Sequence, residues 1–147
     1  MDSPGPLTLA LVTARLAGTS GLLDIGGAVE YFAAREALKR WPAAFVLPAK
    51  DTAAPNPFAE GAIDQQVIAR YGVILAVRNL RDATGAAAMA DLATLRQAVW
   101  TQLLGWVPAD GFSPCTYGGG RLFELDEVSA VLWWVDEFDT DYHVRVI

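Results

Sequence analysis

Two hydrophobic periods take turns along the chain. Leu7, Ala10, Leu11 and Ala14 recur at helical spacing and predict a short helix over 6–17, ended by Gly18 and Gly21. Ala28–Arg40 reads as a second helix, with Val29, Phe32, Ala33, Ala37 and Leu38 apolar and Glu30, Arg35, Glu36 and Lys39 polar. Trp41-Pro42 stops it, because the residue before a proline avoids the helical region. Ala43–Leu47 is a short apolar run closed by Pro48, the length and flank of a buried strand. Lys50–Glu60 collects Asp51, Pro55, Asn56 and Pro57 before Gly61, so 49–62 is expected as an extended loop.

Ile63–Asn79 carries the clearest period of two. Gln65, Val67, Ala69, Tyr71, Val73, Leu75 and Val77 form one set; the alternate set is polar at its ends and apolar in the middle. That pattern predicts a central strand whose ends reach solvent. A third helix is expected from a cap at Asp82 or Thr84 to about Leu104, with Leu92, Leu95, Val99 and Leu103 as its stripe and Gly105 and Pro108 beyond its end. After a loop over 107–114 come Cys115–Tyr117, Gly118–Gly120, Arg121–Asp126 and a long segment Val128–Ile147. In that segment Leu132, Trp134, Phe138, Tyr142, Val144 and Val146 share one parity, and Glu137, Asp139, Asp141, His143 and Arg145 the other. The order predicts a single α+β domain over 1–147: a mainly antiparallel sheet packed by two or three helices, with a long C-terminal β-hairpin. Residues 1–6 are rich in Pro and Gly and expected to be flexible.

Composition narrows the function classes. A chain of 147 residues that is 53% hydrophobic and 19% charged can build a core and is not a disordered segment. A net charge of −6 argues against a grip on phosphates. One Cys and one His exclude an internal disulfide, a cysteine-based zinc site and a multi-histidine site. No apolar run approaches the roughly 20 residues of a membrane span, and Met1-Asp2-Ser3-Pro4 is acidic where a signal peptide is basic. The expectation is a soluble, intracellular, reduced protein.

The charge is concentrated. Glu124, Asp126, Glu127, Asp136, Glu137, Asp139 and Asp141 lie between Leu122 and Val144 with no Lys or Arg among them, so the window holds −7 and the net −6 leaves +1 for the rest. Such a stretch reads either as a solvated sheet face or as a surface set against an anion or a basic partner.

Four constellations could carry chemistry. Cys115 with His143, oriented by Asp141 or Asp139, has the residue types of a thiol nucleophile and its base, but nothing local lowers the thiol pKa. Gly118-Gly119-Gly120-Arg121 lacks the strand–loop–helix order of a phosphate cradle and reads as a hairpin turn. The carboxylate pairs Asp136/Glu137 and Asp139/Asp141 supply too few ligands for a hard cation. Trp133 and Trp134 point to opposite faces of a strand. Trp134 is expected in the core, and Trp133 beside Val131 and Val135 in an outward apolar patch of the kind that marks protein contacts.

One series of motifs has a further meaning. Pro42–Pro48 is followed by Gln66 leading into Val73–Asn79. Then come Leu103-Leu104-Gly105-Trp106 with Pro108, Tyr117–Leu122, and Leu132-Trp133-Trp134 leading to Asp136, Phe138, Thr140 and Tyr142. Over roughly residues 42–145 this order resembles the tail terminator proteins of long-tailed bacteriophages and related prophages. The resemblance implies an α+β virion protein of the tail and neck, assembled in the host cytoplasm, with no catalysis and no cofactor. It implies a homo-hexameric ring that caps the tail tube, ends its polymerisation and docks the head–tail connector while viral DNA passes through the lumen. Its partners would be its own copies, the tail tube protein and the connector, with no membrane. On that picture Glu124, Asp126, Glu137, Asp139 and Asp141 are candidates to line the lumen, where carboxylates repel phosphates. Arg121, Trp133 and Arg145 are candidates for the head-to-tail subunit contact a ring requires. The alternatives are another head–tail joining protein of the neck and, in a different class, a small Cys–His hydrolase using Cys115 and His143.

Overall fold

The structure is a computed structural model that describes residues 3–37, 40–78 and 85–146. Among these, α1 (Leu9–Leu16), β1 (Asp24–Gly26), α2 (Ala28–Glu36), β2 (Ala43–Ala53), β3 (Ile63–Arg78), α3 (Ala86–Leu103), β4 (Thr116–Asp126) and β5 (Val131–Val146) follow in chain order. The strands form one sheet in the order β1-β2-β3-β5-β4, antiparallel except for the short β1–β2 pair. The α+β class and the C-terminal hairpin expected from the pattern are both present.

β3 is the centre of the sheet, as its alternation implies, and pairs with β5 from Ile63 opposite Val146 to Arg78 opposite Val131. Both faces of its middle are buried because helices cover both sides. On one side α1 and α3 close a core of Val12, Leu16, Leu92, Leu95, Val99 and Leu103 against Tyr71, Val73, Leu75, Leu132 and Phe138. On the other, α2 places Tyr31 and Ala34 over Phe45, Ile74, Val131, Trp133 and Val135. α2 is short, so it covers only one end of that face; the other end is left to polar side chains.

Several boundaries differ from the sequence reading, each for a local reason. β2 runs through Pro48 to Ala53, so the connection is 54–62 and not 49–62. Pro48 is accommodated because the pairing slips at a bulge between Pro48 and Lys50. Asn56 organises the shorter loop: its Oδ1 accepts the Asp64 N–H at 3.0 Å and its Nδ2 donates to the Ala62 carbonyl at 3.0 Å. β1 had no signal, being three residues long. α1 turns Val12 and Leu16 inward and leaves Leu11 exposed; a segment apolar on most sides does not announce which side packs. α2 ends at Glu36, four residues earlier than expected. The expected caps Asp82 and Thr84, and Leu38, Lys39 and Asn79 of the expected elements, lie outside the described residues. Gly85, at φ +80, precedes α3, whose buried stripe is the expected Leu92, Leu95, Val99 and Leu103 with Ala88 added.

Candidate functional site

The hairpin β4–β5 holds the candidate lumen and interface residues and His143, together with the three glycines; Cys115 lies just before it. Those glycines do not form the turn. Gly118–Gly120 lie inside β4, where the pairing slips between Tyr117 and Gly119 and Gly119 takes φ +127. The chain reverses instead at 127–130, between β4 and β5. Gly118 and Gly120 serve close approach: a Cβ on Gly118 would press on the Arg70 guanidinium, and one on Gly120 would collide with Asp136 Oδ1 and the Tyr117 hydroxyl.

What Gly120 makes room for is a buried carboxylate that the sequence reading did not single out as an anchor. Asp136 is fully buried. Its Oδ2 accepts from Arg96 Nε and Trp100 Nε1, both at 3.0 Å. Its Oδ1 accepts from Trp134 Nε1 at 2.9 Å, Tyr117 Oη at 3.0 Å and the Arg96 guanidinium at 3.1 Å. Arg96 also lies over the rings of Trp134 and Trp100, at 4.5 and 5.1 Å from their centroids. The group ties α3 to both strands of the hairpin. A polar residue on the otherwise apolar parity of β5 was the available signal.

The five candidate lumen acids share one side of the sheet. Glu124 and Asp126 are registered with Trp133 and Val131, and Glu137, Asp139 and Asp141 continue that parity along β5. The side is not purely acidic, because arginines distant in sequence reach it. Arg35 of α2 pairs with Glu124. Arg70 of β3 donates to both oxygens of Asp139, at 2.8 and 2.9 Å, and lies 3.4 Å from Glu137. Donating these hydrogen bonds to Asp139 pushes the Arg70 pKa up. Asp126 instead caps the turn, accepting the N–H groups of Val128 and Ser129 at 3.1 and 3.3 Å, and Ser129 holds its carboxyl below the usual range. Farther along, Asp64 of β3 accepts from Arg145 Nε at 3.2 Å and meets His143 Nδ1 at 2.7 Å. His143, then Arg145, holds the Asp64 pKa low. The uncovered half of this face is thus a lattice of ion pairs, hollowed by two shallow depressions. One, of about 240 Å³, is lined by Lys50, Thr52, Ile68, Arg70 and Asp139. The other, of about 190 Å³, is lined by Gly118–Arg121, Val135 and Glu137.

Trp133 corrects the expectation made for it. It is 2% exposed, edge-on to Tyr31 at 5.9 Å and capped by Arg35 at 5.1 Å from the ring. The outward patch of Val131, Trp133 and Val135 is the floor under α2, which the sequence did not place there. Trp134 faces the α3 side and packs against its core, as expected. Several of the exposed apolar groups lie instead at the hairpin edge and the rim of α2: Leu122, Phe123, Leu125 and Val128, with Val29 and Phe32.

The Cys–His pair is not assembled. Cys115 is 2% exposed in the core shared with α1 and α3, 3.3 Å from Tyr71 Oη, and burial pushes its thiol pKa up. His143 stands on the opposite face of the sheet, beside Asp64. A thiol that is hidden, protonated and remote from the imidazole lacks each condition for nucleophilic attack. Among the described residues no three His, Cys, Asp or Glu side chains converge to hold a metal ion, and no helix is long and apolar enough to cross a membrane.

No curated protein matches this sequence. The family model for phage tail terminator proteins matches residues 2–147, nearly the whole chain. The chain therefore belongs to the phage tail terminator family, whose members are structural proteins of the phage tail.

Proposed function

We propose that this protein is the terminator of a phage tail: copies close into a homo-hexameric ring on the end of the tail tube, stop its growth and give the head–tail connector its docking surface. The observation that carries this reading is the family match over residues 2–147. The side of the sheet that holds Glu124, Asp126, Glu137, Asp139 and Asp141 faces the lumen, where its acids keep passing DNA from adhering and its ion pairs hold it rigid. Arg121 and Arg145, at the edge of β4 and the end of β5, bridge to neighbouring copies. Trp133 contributes only from beneath α2, by fixing the helix that such a neighbour meets. The role needs no cofactor and no bond-making step; the protein is made in the host cytoplasm and ends in the virion.

The test is tube growth. Purified tail tube protein is allowed to polymerise with and without this chain, and lengths are measured by electron microscopy. The expected result is short tubes capped at one end by a six-fold ring. Tubes of unchanged length, with the chain absent from their ends, would refute the reading. Density for the chain only on the head side of the joint would make it the rival neck protein. In the ring map, the five carboxylates pointing to the outer rim would refute the lumen assignment alone.

A further inference from the structure

The two edges of the sheet differ in kind. On the β2 edge, β1 covers Ala43–Phe45, and the remainder carries Pro48, a bulge and Lys50, features that discourage a further strand. Among the described residues no further strand covers the β4 edge, although it too has a bulge, at Phe123. From Arg121 to Asp126 it contains neither Pro nor Lys, residues 121–125 are exposed, and Leu122 and Leu125 are 52% and 54% exposed. A long edge with apolar side chains and free N–H and C=O groups is a template for another strand.

The register says which strand fits. Arg121, Glu124 and Asp126 lie on the α2 side, opposite Val135, Trp133 and Val131; Leu122 and Leu125 lie on the α3 side, opposite Trp134 and Leu132. Between them the pairing slips by one residue at Phe123. With the bulge residue Phe123 left out, the strand reads charged, apolar, charged, apolar, charged in either direction, with Arg at one end, Asp at the other and Glu124 at the centre. A regular strand can pair with its own antiparallel copy only between residues of equal parity, since only every second residue turns its N–H and C=O outward. Arg121 and Asp126 differ in parity, as do Leu122 and Leu125. The bulge restores the phase and lets both pairs meet.

We infer that β4 is a self-pairing edge. Two copies of the free chain join β4 to β4, antiparallel, with Arg121 opposite Asp126 and Leu122 opposite Leu125 across the two-fold axis. The product is one continuous sheet of two five-stranded halves. Opposite charges meet twice on one face and leucines twice on the other, the cross-strand pairs that stabilise an antiparallel ladder; the one like-charge contact, Glu124 with its own copy at the axis, is offset by the Arg35 that pairs with each. Such a contact is isologous and ends at two copies. It stands independently of the tail reading, but because it occupies Arg121, a pair must open before Arg121 reaches a ring neighbour.

The test is mass by light scattering on the purified full-length chain without tubes, with circular dichroism to verify folding. Wild type is expected at twice 15.8 kDa. Arg121→Asp and Asp126→Arg are each expected at the monomer mass, and their equimolar mixture at the dimer mass, since only the mixed pair restores both contacts. A second reading keeps the test decisive if Asp126→Arg fails to fold. Leu122→Cys mixed with Leu125→Cys should form a disulfide-linked pair, because directly opposed Cβ atoms lie about 5 Å apart. Neither alone should link, since the two copies of one position are diagonal neighbours two ladder steps apart, about 7–8 Å, beyond the reach of a disulfide. A monomeric wild type, an assembly whose mass ignores Arg121→Asp, or no preference for the mixed cysteine pair overturns the inference. None of these outcomes bears on capping of the tail tube.

Discussion

Replacing Asp136 by Ala removes the carboxylate on which Arg96, Trp100, Tyr117 and Trp134 converge. The carboxylate is fully buried and Arg96 retains about a quarter of its exposure, so the loss strands a partly buried guanidinium. Breaking a buried charged pair from one side costs about 3–5 kcal/mol. The tyrosine and indole donors are only partly buried and can turn to water, which favours the lower half, about 3–4 kcal/mol. At about 2–4 °C per kcal/mol for a chain near this size, the melting temperature should fall by roughly 6–16 °C. Urea denaturation read by tryptophan fluorescence gives the free energy, and the slope shows whether the change lies in the native state. Asp136→Asn, which keeps the shape and one acceptor, should lose less. A double-mutant cycle with Arg96→Leu should give a coupling of about 1–3 kcal/mol. A loss below about 1 kcal/mol for Asp136→Ala, or no coupling to Arg96, would show that water already reaches this carboxylate and that the account of the glycines is wrong.

Other outcomes follow from the same geometry. Trp133→Ala should cost the isolated chain about 3–5 kcal/mol in urea, as a buried aromatic does; a loss under about 1 kcal/mol would return Trp133 to the surface. Asp64 is held below its ordinary pKa, so its contribution is present above the unfolded carboxyl value of about 4 and disappears as pH falls through the lower folded value. Asp64→Asn should therefore flatten the acid limb of stability below about pH 4, and an unchanged limb would count against the His143 and Arg145 contacts. Cys115 should react with a thiol reagent only on unfolding, and Cys115→Ser should leave tube capping intact; rapid labelling of the native chain would contradict its burial. Ala130, at φ +58, occupies a conformation that favours glycine, so Ala130→Gly should stabilise the chain by about 0.5–1 kcal/mol in thermal melts, and a loss would refute that reading.

How far the sequence could be read follows from the range of each signal. The alternation of β3 and the stripe of α3 are local, and both survive folding unchanged. The acids at positions 137, 139 and 141 could be set on one face by parity alone. The arginines that pair with the hairpin's carboxylates could not, because Arg35, Arg70 and Arg96 come from three other elements and only the fold brings them to Glu124, Asp139 and Asp136. Trp133 misled for the same reason: alternation gives the face of a strand, but not whether a helix lies over it. The glycines misled because a turn and a close approach require the same residue, and the group that distinguishes them, Asp136, lies sixteen residues beyond Gly120.

β5 follows the other four strands in sequence yet is an interior strand, flanked by β3 on one side and β4 on the other. A polypeptide interrupted before Val131 would thus leave β3 without a neighbour on one long side and β4 without any. The sheet therefore cannot close until β5 has been made, although the four strands it completes all precede it. A prematurely ended copy is expected to be cleared by proteolysis rather than to survive as a shortened subunit that could poison a particle under construction.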